Sequence, residues 1–197
     1  METNKENKED VRTIRTKRDL ANALEELLQE RNFDDLSIKD ITDKALVSKN
    51  TFYNNFKDKN ELLMFLLRRY ANNLLETAQP WFEKHKLSPR SALLHKAINV
   101  FVDYFYEANL PYRKMIQNDT SKSLFWNLNQ FIIQLFNEIR DRYFPSRNIK
   151  KDHAPTESYF YSGAIASLIY NAMLDDTTLD RAQLKKDLFL LCLPGIK

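Results

Sequence analysis

"LSIKDITDKALVSKNTFYNNFKDKNELL" (residues 36–63) is too polar for a buried helix pair and too regularly spaced for a loop. Ser37-x-x-Asp40 reads as a capping box, with Ile38, Ile41 and Ala45 giving the helix behind it one apolar face. Ser48 suits the N-cap of the next helix, whose Phe52 and Phe56 stand four apart on one side. Asp58-x-x-Glu61 opens a further helix through "LLMFLLRRYANNLLETA", with Pro80 as its expected stop. Two short helices, over about 37–45 and 48–55, separated by only a few residues make a helix-turn-helix. With Phe52 and Phe56 inward, Lys49, Asn50, Tyr53 and Asn54 fall on the opposite side, and Thr51 lies at the border. No acid occurs between Lys44 and Asp58. Asn can pair with an adenine edge through two hydrogen bonds, and Lys, Thr and Tyr can reach phosphate. A polar face of this composition points to nucleic acid.

Upstream, Leu20, Leu24, Leu27 and Leu28 predict an amphipathic helix from about Thr13 to Arg31, with Asn32 suited to a left-handed C-terminal cap. The whole chain agrees with an all-α fold. Its 197 residues contain only two glycines, Gly163 and Gly195. Phosphate loops, dinucleotide fingerprints and tight hairpins need glycine where φ is positive or where backbone must approach closely. Net charge is +3, and residues 1–60 hold twelve basic against thirteen acidic side chains, so bulk charge does not announce a nucleic-acid partner. Its distribution is more telling. Arg12, Arg15, Lys17 and Arg18 cluster near the start, and Lys39, Lys44, Lys49, Lys57 and Lys59 punctuate the quoted stretch.

The remaining two thirds carry 20 of the 24 aromatics. Helices are predicted over about 88–108, 120–143, 156–174 and 180–193, with a short helical turn after Pro111 and a loop at "FPSRNIKKDHAP". The expected organisation is a disordered tail at 1–10, a helix-turn-helix domain at 11–60 and a helical ligand-binding and dimerisation domain at 61–197. Gly163, Ala164, Ala166 and Ser167 gather small residues on one helix, and the last helix offers Leu184, Leu188, Leu191 and Cys192. Close helix contact follows, either inside one subunit or across a dimer axis.

The quoted stretch resembles the DNA-binding signature of the TetR family of transcriptional regulators, over about residues 13–66. The resemblance rests on Val47, Ser48, Thr51 and Tyr53 of the recognition helix, then Phe56, Lys59, Glu61 and Leu62. Leu46 stands at the family's usual turn glycine, at a cost of about 1 kcal/mol if φ is positive there. Asn50 replaces a small residue and Asn55 a frequent histidine. The resemblance implies DNA contacts from Ser37, Lys49, Asn50, Thr51, Tyr53, Asn54 and Lys59, with Thr13 and Arg15 reaching phosphate or the minor groove. It implies a repressor that binds a palindromic operator and favours the homodimer, for which the small residues of one helix and the leucines of the last place the interface at Gly163, Ala166, Ser167, Tyr170, Leu184, Leu188 and Leu191. It also implies a small-molecule effector in the C-terminal half. Polar residues interrupt apolar faces there, and His95, Asn99, Phe101, Phe105, Trp126, Asn127 and Gln130 are the candidates for its pocket.

"YFYSGAIASLIYNAML" (159–174) is also similar to a subgroup related to dihydroxyacetone-kinase regulators. Some of its members act with a protein partner, which leaves a protein-controlled regulator or coactivator as the alternative. No enzyme, cofactor or metal site is expected. There is no H-E-x-x-H or Cys-x-x-Cys, and His85, His95 and His153 sit on separate segments. Cys192 reads as a small buried apolar residue. A His/Cys metal sensor and a purely helical interaction module are the remaining alternatives. With one cysteine, a charged N-terminus and no membrane-length apolar run, the expected location is the cytoplasm.

Overall fold

The computed structural model describes residues 11–85, 88–107, 111–143, 154–174 and 180–192. Expectations for the tail at 1–10, for most of the loop before Ala154, for His153 and for Gly195 lie outside the described residues. Among those described the protein is all-α: α1 (Val11–Leu28), α2 (Ile38–Lys44), α3 (Lys49–Tyr53), α4 (Lys59–Lys84), α5 (Arg90–Glu107), α6 (Pro111–Gln117), α7 (Ser123–Tyr143), α8 (Ala154–Leu174) and α9 (Arg181–Cys192).

Leu20, Leu24 and Leu28 of α1 recur every four residues and are fully buried. They meet Phe33, Leu36, Ile41, Phe52 and Phe56 in one core. Leu62, Leu63 and Leu66 complete that core, so it continues past residue 60 into the first two turns of α4. Met115 and Leu124 reach it from the C-terminal half.

The α2–α3 turn is a Schellman motif. The Val47 amide donates to the Thr42 carbonyl (3.0 Å) and the Leu46 amide to the Asp43 carbonyl (3.3 Å). The motif places its C′ residue in the left-handed region, and Leu46 sits there with φ 56°. Its side chain is 92% exposed, so little burial offsets the strain. Leu46→Gly should therefore raise stability by about 0.5–1 kcal/mol, strain relief outweighing the greater chain entropy of glycine in the unfolded state. Denaturant unfolding checks this. A less stable variant would mean that Leu46 makes a contact that offsets its backbone cost.

Two terminators differ from expectation. Asn32 does not adopt a left-handed cap, since Leu46 and Lys122 are the described non-glycine residues with positive φ. The amides of Gln29, Glu30 and Arg31 turn back onto the Glu26 and Leu27 carbonyls instead. The Asn32 side chain makes a tertiary contact, its Oδ1 accepting from the Thr120 amide at 2.9 Å. Pro80 does not stop α4, which runs on to Lys84. A proline removes its own N–H bond and crowds the carbonyl four residues earlier, yet the turn beyond it closes, with the His85 backbone amide donating to the Trp81 carbonyl (3.1 Å) and the Trp81 ring stacked on His85 at 4.2 Å.

In the C-terminal half α7 lies along α8, α5 along α9, and α4 bridges from the N-terminal core to α5 and α7. The short α6 is wedged between α8 and α1. Just after α6, Asn118 Nδ2 donates to the Gln29 carbonyl (2.8 Å) and the Leu28 carbonyl (3.4 Å), closing the C-terminus of α1. The next residue, Asp119, is buried. Its Oδ2 accepts from Tyr170 Oη of α8 (2.9 Å) and from the Phe125 amide (3.2 Å). A continuous polar path thus joins α8, the α6–α7 corner and α1.

Candidate nucleic-acid interface

Phe52 and Phe56 fix the roll of α3. Both are buried and packed on each other (6.0 Å between ring centres), and Phe56 meets Phe65 of α4 edge-on. A helix pinned on that side must present the other outward. Lys49, Asn50, Tyr53 and Asn54 are all exposed, on one short helix. The Tyr53 ring stands edge-on to Phe52 at 5.6 Å, which holds the phenol in position while leaving its hydroxyl outward.

Three other predicted contacts are occupied locally. Thr51 is half-buried, its amide donating to Ser48 Oγ (3.1 Å) and its hydroxyl paired with the same oxygen (2.9 Å). Ser37 Oγ accepts from the Asp40 backbone amide (3.1 Å) and the Ser37 backbone amide donates to Asp40 Oδ2 (2.8 Å), completing the capping box, while the Ser37 hydroxyl donates to the same Oδ2 (2.6 Å). Lys59 is the largest difference. Its ammonium donates to the carbonyls of Phe33 (2.8 Å), Asp34 (3.0 Å) and Leu36 (3.0 Å), and lies over the Phe33 ring. An ammonium has three N–H bonds, and all three have acceptors inside the chain. Lys59 ties the α1–α2 connection to α4 and is not poised toward phosphate.

Around this face the charges divide. Lys44 is paired with Glu26 at 2.8 Å, a hydrogen bond that raises its pKa. Lys39 lies near Asp43 at 3.9 Å, both exposed. Arg15 is exposed near the start of α1, close to Asp19 (3.8 Å), and Thr13 is half-buried beside it. The first turn of α1 carries no acid. Asp40 is held near pH 2 by the hydrogen bonds from Ser37, below its ordinary 3.8. A depressed carboxylate stabilises the fold above its unfolded pKa and loses that contribution as pH falls through the folded one. The α2 cap should stay intact to about pH 4 and weaken between about pH 4 and 2. Carboxyl NMR titration of Asp40 tests this, and a midpoint at its ordinary value would refute it.

The residues expected to form one effector pocket are not brought together. Phe101 lines a narrow cleft between α5, α6, α8 and α9. His95 and Asn99 line a different, open groove with Trp81 and Phe189. Trp126 is 61% exposed, Gln130 is exposed, and Asn127 Nδ2 donates back to the Ser123 carbonyl. The Phe105 side chain lies outside the described residues. Helical spacing tells which residues share a face but not which helix that face meets. Arg113, Tyr106 and Met173, which line the cleft, were not singled out by the sequence.

The expected dimer residues also divide. Ala166, Tyr170, Leu184 and Leu188 are buried within the single chain. Ser167 and Leu191 are exposed, and a side chain added at Gly163 would meet nothing within 4 Å. The exposed stripe of α8 runs instead through Phe160, Ala164, Ser167, Asn171 and Leu174.

Residues 17–64 match the family model described as bacterial regulatory proteins, tetR family. No curated protein matches the chain by sequence. Among solved structures, it is similar to the dihydroxyacetone kinase operon activator DhaS, with 16% identity over 93% of this chain and 97% of that one (TM-score 0.53). It is similar to the fatty acid degradation regulator FadR from Bacillus halodurans, with 16% identity over 92% and 96% (TM-score 0.56). A third is the TetR family repressor AlkX from Dietzia sp. strain DQ12-45-1b, with 15% identity over 91% and 94% (TM-score 0.51). At these identities the likeness is one of fold.

Proposed function

From the premise that this chain is a TetR-family transcriptional regulator with a DNA-binding N-terminal domain, we propose that it is a homodimeric repressor. In this reading it binds a palindromic operator and responds to a small molecule in its C-terminal half. One observation supports the DNA face above all: Lys49, Asn50, Tyr53 and Asn54 stand together outward on a helix whose opposite side is locked by Phe52 and Phe56. Asn50 is the base reader, Lys49 and Tyr53 the phosphate contacts, with Arg15 and Thr13 adding to the backbone grip.

The dimer reading rests on exposed apolar surface. Phe160 is 70% exposed on α8, Leu191 68% on α9, and Tyr159 and Leu190 are exposed beside them. Helix α8 is apolar nearly all round, the character of a helix covered on every side. A two-fold axis along these helices would pair two recognition helices on an inverted repeat, about one helical turn or more apart. An effector acts if it binds two dimer arrangements unequally.

Sequencing the DNA that the purified protein retains from genomic fragments tests the whole reading. A palindromic consensus is expected. Asn50→Ala should relax one base pair in each half-site, costing about 1–3 kcal/mol there. An unchanged consensus would remove Asn50 from the reading residues, and retention of DNA without any consensus would sink the operator reading.

A further inference from the structure

The roll of α3 ranks the side chains on its outer face. At about 100° per residue, Asn50 and Asn54 straddle the direction opposite buried Phe52, each about 20° from it. Lys49 and Tyr53 stand about 80–120° away on one flank, and half-buried Thr51 about 80° away on the other. Asn54, the C-cap, still has helical backbone (φ −71°, ψ −16°), and its amide donates to the Asn50 carbonyl at 3.0 Å. Both carboxamides are exposed, and among the described residues neither has a side-chain partner within the chain. Asn55 differs, being half-buried with its Nδ2 donating to the Thr51 carbonyl at 2.7 Å. We propose that Asn50 and Asn54 together form a paired adenine reader, so that each operator half-site holds two A·T pairs about one or two steps apart. The inference rests on the operator reading above and names the sequence class that the face selects.

Chemistry and spacing select this class. A carboxamide carries a donor and an acceptor side by side, and adenine alone presents an acceptor (N7) beside a donor (N6) in the major groove. Guanine shows two acceptors there and suits arginine, yet the sequence has no arginine between Arg31 and Arg68. Arg31 itself is turned toward Asp40 (3.4 Å) and the Asp35 carbonyl (2.7 Å). Four residues along a helix rise about 6 Å, close to the roughly 6.8 Å of two base-pair steps, so both carboxamides can reach base edges in one groove. The flank carrying Lys49 and Tyr53 then meets the phosphate wall of that groove.

Selection from random duplexes by the full-length protein, followed by anisotropy titration on the selected operator, tests the inference. The consensus should hold the adenine pair in each half-site. The analogue 7-deazaadenine, which has C–H in place of the N7 acceptor, should weaken binding about two- to ten-fold at either position of one half-site, as expected for one lost hydrogen bond. In Asn54→Ala that penalty should vanish at one position and persist at the other, and Asn50→Ala should show the reverse. A residue that only shapes α3 would lower affinity without this base-by-base exchange. Circular dichroism confirms the fold of both variants. A palindromic consensus without the adenine pair, full tolerance of the deaza analogue, or a penalty that survives at both positions in either variant would overturn the pairing and leave the operator reading in place. No consensus at all would overturn both.

Discussion

Gly163→Leu and Ala166→Phe, three residues apart on α8, should fail in different ways. Ala166 is fully buried against Ile116, Ile132, Tyr170 and Met173. Adding an aromatic ring there overpacks a filled site, and a loss of about 1–3 kcal/mol or more is expected, with helical content melting at lower denaturant. Gly163 has open space in front of its Cα. A leucine there clashes with nothing in the subunit, and replacing glycine inside a helix raises helix propensity by about 0.5–1 kcal/mol. If α8 meets its two-fold mate near Gly163, the variant should be a well-folded monomer in sedimentation. Its affinity for a palindromic operator should fall about a hundred-fold or more, toward that of non-specific binding. A Gly163→Leu protein that remains dimeric and binds the palindrome normally would move the interface elsewhere on the molecule.

Lys59→Met should lower the unfolding free energy by about 2–3 kcal/mol, because three carbonyls lose a charged donor. Methionine retains most of the apolar stem, so the loss reports the ammonium. The sequence motif alone suggests phosphate, and the two roles separate cleanly in a salt titration of DNA binding. A phosphate contact contributes about one unit to the slope of log K against log salt. With Lys59 holding the α1–α2 connection, the slope should be unchanged, and any loss of affinity should track loss of folded protein. Intact stability with a slope shallower by about one would return Lys59 to the DNA.

Much of the N-terminal domain was legible from residues close in sequence. The capping box at Ser37, the N-cap at Asp58, the spacing of Phe52 and Phe56, and the four-residue steps from Leu20 to Leu28 all act between residues about one helical turn apart. The structure has the helices that these signals predict. The conditional reading of Leu46 also had a local origin, since a Schellman turn dictates the sign of φ at its C′ position whatever residue stands there. Helices of the C-terminal half were found for the same reason, with ends shifted by a few residues. Pro80 misled because a proline weakens a helix locally, while packing beyond it decides whether the helix continues.

What only the tertiary structure decided is where each side chain finds its partner. The ammonium of Lys59 finds carbonyls 23 to 26 residues earlier in the chain, and Asn32 bonds Thr120 across 88 residues. Ala166 and Gly163 belong to the same small-residue run, yet one faces the core and the other open space. His95 and Phe101 are candidates of equal standing in the sequence, yet they line separate depressions. The periodicity of a helix fixes an angle around its own axis. It carries no record of which neighbour will lie at that angle, because that choice belongs to the packing of the whole chain.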